Sequence, residues 1–185
     1  AIGIAVPGLV DEEHGVARLA ANLPLRDVPL RDLVAAHVHL PAVLGHDVRA
    51  GGLAEARMGA GRGARHVLFV AIGTGIAAAH VVDGAVLTGA HGAAGELGHL
   101  TVRPGGPRCG CGARGCLEAV ASASAVARRA GRPAAQVVAL LAGGEAGAVR
   151  AWRDTVEALA DGLLAAQTLL DPEVVVIGGG MSAAD

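Results

Sequence analysis

A chain of 185 residues has the length of one ordinary domain or of parts of two. Phe69 and Trp152 are the only aromatic residues of the Phe, Trp and Tyr class, which excludes a stacking platform for single-stranded nucleic acid. The 15 cations, all arginine, are scattered among 17 carboxylates for a formal net charge of -2, so nothing in the bulk charge attracts a polyanion.

In chain order, residues 2–6 form a short apolar run closed by Pro7-Gly8, the pattern of a strand entering a turn. Residues 30–39 carry Leu30, Leu33, Val34 and Val38 at helical spacing. Residues 42–44 predict a second strand, and Gly45-His46-Asp47 follows it, which sets a carboxylate at a strand end where open α/β sheets place ligands. A helix over residues 48–58 and a glycine loop over 59–63 come next. Residues 67–72 read as a fully buried strand and 76–82 as another, with Gly73-Thr74-Gly75 between them. Asp83-Gly84 before Ala85-Val86-Leu87 predicts a hairpin. Glycine-rich residues 91–115 have no periodicity and predict an irregular loop. Helices are expected over 118–130, 134–141 and 148–170, and a last strand over 174–177 enters Gly178-Gly179-Gly180. Mixed strand and helix signals with a hairpin indicate an α/β fold with a partly antiparallel sheet.

No apolar stretch approaches the roughly 20 residues of a membrane helix, and the first residues lack the basic start and apolar middle of a signal peptide. The expected compartment is the cytoplasm. A first strand with no partner before it and an end without a closing element read as a chain cut at both ends.

Three cysteines lie at Cys-x-Cys-x4-Cys spacing, Cys109, Cys111 and Cys116, with His99 upstream. Soft thiolates plus an imidazole make a closed tetrahedral zinc set; the alternative at this spacing is reduced, buried thiols. Glu96 precedes His99 by three positions and is either a ligand-facing carboxylate or a solvated loop residue. Glu118 stands at a helix start, where the dipole alone favours a carboxylate. Gly73, Thr74 and Gly75 suit a phosphate cradle, because glycine lets backbone N–H groups approach oxyanions. Gly178, Gly179 and Gly180 either lie flat against a nucleotide or form a plain turn. Asp47 is a candidate general base for a hydroxyl, with a helix N-cap as its structural alternative.

Taken together, residues 89–99 and 109–118, with Gly95-Glu96-Leu97-Gly98-His99 and Cys109-Gly110-Cys111 through Cys116-Leu117-Glu118, resemble the signature of the ROK family of sugar kinases and sugar-responsive repressors. Residues 2–8, Ala21-Asn22-Leu23, Gly73-Thr74-Gly75 and residues 174–180 resemble further family segments. The resemblance implies an actin-like ATPase fold of the hexokinase, ribonuclease H-like type, with residues 1–47 as the remainder of a smaller domain and 48–185 as most of a larger one. It implies Asp47 as catalytic base and His46, Asp47, Glu96, His99 and Glu118 as sugar-binding residues. It also implies ATP with Mg2+ at Gly73–Gly75 and Gly178–Gly180, structural Zn2+ on His99, Cys109, Cys111 and Cys116, and a homo-oligomer. Its leading activity is ATP-dependent phosphorylation of a hexose hydroxyl, glucokinase-like, and its alternative is a repressor whose DNA-binding segment lies elsewhere. No membrane partner is expected, and no nucleic-acid partner for this segment. Two stretches depart from the family pattern: His46-Asp47-Val48-Arg49 stands where Asn-Asp-Ala is usual, and Ala77, Ala78 and Ala79 stand where glycines are.

Overall fold

A computed structural model describes residues 1–20 and 23–182, so Ala21 and Asn22 of the Asn-Leu segment lie outside the described residues. β1 (Ile2–Val6) pairs in parallel with β5 (Ala42–His46), and its last residue, Val6, lies opposite His46. Between them in sequence come β2 (Leu9–Asp11), β3 (Val16–Ala20) and β4 (Leu25–Val28), an antiparallel sheet in the order β2-β3-β4, and then α1 (Leu30–Val38). These three short strands had no periodic signal in the sequence. Val6, Val10, Ala17 and Leu44 form the small apolar core of this part of the chain.

The larger sheet has the order β8-β7-β6-β9, from β6 (His66–Ile72), β7 (Ile76–Val82), β8 (Ala85–Val86) and β9 (Val174–Gly178). β6 and β7 pair without a slip from His66 opposite Val82 to Ile72 opposite Ile76, and β9 lies parallel to β6. Asp83 and Gly84 both have positive φ, 49° and 78°, as the expected two-residue hairpin turn requires. Side chains alternate across β6. Leu68, Val70 and Ile72 face one way, onto α3 (Leu117–Ala121) and α6 (Ala146–Leu170), while Val67 faces the other with Val81, Val176 and Leu53 of α2 (Asp47–Met58). The result is a helix layer on each face of a mixed sheet. Full burial of Val67, Leu68 and Val70 contributes roughly 1.5–3 kcal/mol per side chain, which makes β6 the spine of this part.

The helix expected over 118–130 is two. α3 stops and α4 (Ala123–Ala130) starts at Ser122, whose Oγ accepts the Ala125 N–H at 3.2 Å as an N-cap. α5 (Ala134–Leu141) follows, and α6 begins two residues earlier than periodicity suggested because the Glu145 carboxylate accepts the N–H groups of Gly147 and Ala148. Among the described residues no helix is long and apolar enough to cross a membrane.

Candidate active site

The strand-to-helix junction at β5 and α2 is built around His46. It is the N-cap of α2, and its Nδ1 accepts the Arg49 N–H at 3.4 Å. An accepting Nδ1 places the ring proton on Nε2. Burial pushes the His46 pKa below the usual histidine value, against an opposing pull from Asp47, so the ring is neutral at physiological pH. Capping thus falls to His46. Asp47 is the first residue of the helix, with a 44% exposed side chain whose Oδ1 accepts the Val48 N–H at 2.7 Å. Its second oxygen is left to face solvent or a ligand.

Two residues that sequence reasoning passed over hold this junction. Arg49 is 7% exposed and donates to Glu12 Oε1 at 3.2 Å and to the Gly92 carbonyl, while Glu12 Oε1 also accepts the His46 N–H at 3.4 Å. One guanidinium therefore ties the β2–β3 hairpin, the helix bearing Asp47 and the loop before Glu96. A signal existed in the sequence: a cation in the first turn of a helix opposes the dipole and calls for a partner. A recess of about 750 Å³ opens between that hairpin and residues 88–92, with Glu12 and Arg49 in its wall.

Glu96 precedes and His99 closes a single 3-10 turn, Leu97–His99. A Cβ at Gly98 would overlap the Ile76 carbonyl, so only glycine lets this turn lie flat on β7. Glu96 Oε2 stands 3.8 Å from His99 Nε2, and the Glu96 charge reaches His46 from across the site. The opposite ring nitrogen, His99 Nδ1, faces Cys109 Sγ at 3.7 Å.

The cysteines come together through two tight backbone links. Cys109 O accepts the Gly112 N–H at 3.0 Å, closing the Cys109–Gly112 turn, and an isolated bridge joins Thr101 to Cys116. The donor atoms of His99, Cys109, Cys111 and Cys116 all lie within 4.8 Å of one another, and Cys111 and Cys116 Sγ are 3.7 Å apart. A tetrahedral ion with metal–sulfur bonds of about 2.3 Å has a sulfur–sulfur edge of about 3.8 Å, so the set fits such an ion as it stands. Burial pushes the Cys116 thiol up to about 12, which means that a thiolate there calls for a cation beside it.

Glu118 lies in the first turn of α3, and its Oε2 accepts the Ile76 N–H at 3.0 Å. Gly73 and Thr74 line a cavity of about 400 Å³ together with Gly180, walled by Ala134, Ala135, Val138 and Met181. That volume is within the range of small-molecule sites. The other expected glycines have different neighbours: a Cβ at Gly178 would meet the Phe69 ring at 2.7 Å, one at Gly179 would overlap the Ile72 carbonyl, and one at Gly75 would overlap Glu118. The structure therefore pairs His46 with Asp47 at the strand end and Glu96 with His99 at the 3-10 turn, with the Glu96 charge felt at His46, and it sets Glu118 against the Gly-Thr-Gly turn and brings two distant glycine segments into one cavity.

The sequence matches the ROK family over residues 1–185. The chain belongs to the ROK family. It is 39% identical over 204 aligned residues to the glucokinase of Thermotoga maritima, covering 99% of this chain and 64% of that protein. A ROK family glucokinase from Streptomyces griseus, solved in complex with glucose and AMPPNP, superposes with a TM-score of 0.90 at 31% identity, covering 100% of this chain and 66% of that one. The Escherichia coli DNA-binding transcriptional repressor Mlc is 37% identical over 126 residues, 68% of this chain and 31% of the repressor. This ROK chain thus spans about 64% of the length of the Thermotoga relative and has the actin-like ATPase fold of the family's hexokinases and glucokinases.

Proposed function

We propose that this chain carries the sugar-binding face and part of the nucleotide site of an ATP-dependent sugar kinase that phosphorylates a hexose hydroxyl. The observation that carries the reading is the cavity shared by Gly73, Thr74 and Gly180, since a glycine-lined cradle for phosphate is one part that phosphoryl transfer to a hydroxyl needs, and Asp47 at the end of β5 supplies the other, a base. Asp47 acts as general base: its free oxygen takes the hydroxyl proton as the sugar oxygen attacks the γ-phosphorus, and the bond to the ADP leaving oxygen breaks in line. The Nε2–H of His46 donates to a sugar oxygen, Glu96 accepts from a hydroxyl, and His99 presents Nε2 to the same ligand. Magnesium arriving with ATP neutralises phosphate charge. Zinc is the ion proposed for the Cys3His set, where it is structural because all four positions are filled by the protein. The cleft would divide the chain at Asp47, with residues 1–47 on one side and 48–185 on the other. Such a kinase draws on the cytoplasmic ATP pool, and its thiols suit a reducing compartment.

The test is Asp47→Asn in the full-length protein, assayed for phosphorylation of glucose and related hexoses with ATP. Turnover should fall by about 10³-fold or more while sugar binding stays measurable by calorimetry; a variant retaining substantial turnover overturns the role of Asp47. The identity to Mlc supports a second reading, a sugar-responsive repressor built on the same sugar site. Sugar-dependent DNA binding by the full-length protein, without sugar phosphorylation, would decide for it.

A further inference from the structure

The Cys3His clip and the Gly-Thr-Gly turn belong to different segments of the chain, yet they meet at one carboxylate. Cys116 is completely buried, the next residue donates its N–H to the Leu100 carbonyl at 2.8 Å, and two residues on Glu118 Oε2 receives the Ile76 N–H at 3.0 Å. The same oxygen lies against the face of Gly75 where a side chain would stand. On the far side of the turn, Ala123 at the start of α4 donates its N–H to the Gly73 carbonyl at 2.9 Å, and the Gly73 N–H closes back on the Gly75 carbonyl at 2.9 Å. The turn is therefore gripped from both ends by α3 and α4, the helices that leave the clip. Of these two grips, only the one from Glu118 is a charged side-chain contact.

We infer that Glu118 is a positioning residue for the phosphate segment, a buttress that transmits the geometry of the Cys3His clip to Gly75 and Ile76. The inference rests on the kinase reading above and adds a role distinct from sugar contact. A carboxylate has two oxygens and about four acceptor sites. Oε2 serves the backbone of the turn, and Oε1 remains for a sugar hydroxyl. One side chain then touches both halves of the reaction, and its replacement should affect nucleotide affinity even where no sugar is present. A hydrogen bond to a charged group is among the stronger ones, so releasing the turn should be visible in binding.

The experiment uses the full-length protein with its metal bound and the nucleotide analogue AMPPNP, titrated by calorimetry without sugar. Glu118→Ala should weaken AMPPNP binding about tenfold. Glu118→Gln, whose neutral side-chain carbonyl still accepts from the Ile76 N–H, should bind it a few-fold more weakly than the parent but clearly more tightly than the alanine variant, while its KM for sugar rises. Glu118→Asp, one methylene shorter, keeps the charge but loses the reach, and should behave as the alanine variant does; it also serves if alanine prevents folding. Hydrogen exchange at the Ile76 amide reports the contact itself: slow in the parent and the Gln variant, faster in Ala and Asp. Unchanged AMPPNP affinity in the Ala and Asp variants, or a Gln variant as weak as they are, overturns the buttress and leaves the kinase reading intact. A parent protein that binds no nucleotide overturns both.

Discussion

Residues 95–118 and the four-stranded sheet lie against each other and are stabilised in opposite ways. The sheet has long paired runs, β6 to β7 over seven residue pairs, and an apolar interior whose members Val67, Leu68 and Val70 are at most 1% exposed. The clip segment has a three-residue 3-10 turn and isolated bridges, and its own buried cluster is Cys109, Cys116 and Ala119. Only Leu97, Val102 and Leu117 tie this segment to the apolar core of the sheet, which leaves most of its backbone to be ordered by other means. Its fixed point is a set of four donor atoms. The sheet is accordingly a scaffold whose stability is spread over many residues, whereas the clip gathers four donor atoms at one place.

Three measurements break or sharpen that contrast. Cys116→Ser should have the largest effect: metal content should fall from close to one equivalent, with affinity at least about 100-fold weaker, and proteolysis should open residues 95–118 while the sheet persists. A metal-free parent protein of unchanged stability would refute the clip. Leu68→Ala should lower unfolding stability by about 3 kcal/mol in denaturant titration yet leave metal content unaltered, since it cuts a cavity in the sheet and touches no donor. The smallest effect has the opposite sign. Both ring nitrogens of His80 are buried without a hydrogen-bond partner among the described residues, and burial pushes its pKa below the ordinary histidine value. The unfolded chain therefore takes up that proton first as pH falls, so stability should be full above about 6.5 and decline below it. His80→Leu should raise stability by about 1 kcal/mol at neutral pH and shallow the upper part of the acid limb of a thermal-melting series, with buried His46 and the carboxylates of Asp11, Asp83 and Glu145 contributing to what remains.

The sequence showed the scaffold better than the connections. β6, β7, β9, α2 and α6 announce themselves by apolar runs or helical spacing, and each sits within two residues of its expected place. The cysteine set is legible from spacing because ligand chemistry restricts which residues can serve. β2, β3 and β4 were silent for a physical reason: they are three to five residues long, half-exposed, and interrupted by Asp11, Arg18, Arg26 and Asp27, so no alternation can accumulate. Ser122 was a readable cap inside a continuous helical pattern, and the break there frees the Ala123 N–H for Gly73. Arg49 with Glu12, and Glu118 with Ile76, are contacts between segments 37 and 42 positions apart, which periodicity does not report. Asp47 was legible as a base candidate from its place at a strand end, the family resemblance supplied the roles expected of Glu96 and His99, and geometry added the capping role of His46.

The grip of Arg49 on Glu12 and Gly92 sets a rule for anyone re-engineering this protein. Replacing residues 9–20 by a segment that lacks Glu12 would take the carboxylate away from a nearly buried cation in the first turn of the helix that Asp47 begins. Arg49 would then keep only the Gly92 carbonyl of its described acceptors, and a cation held this far from water without its carboxylate is destabilising. The β2–β3 hairpin, the helix start and the Gly92 loop are thus one transplantable cassette, and grafts should move residues 9–20, 46–49 and 92 together.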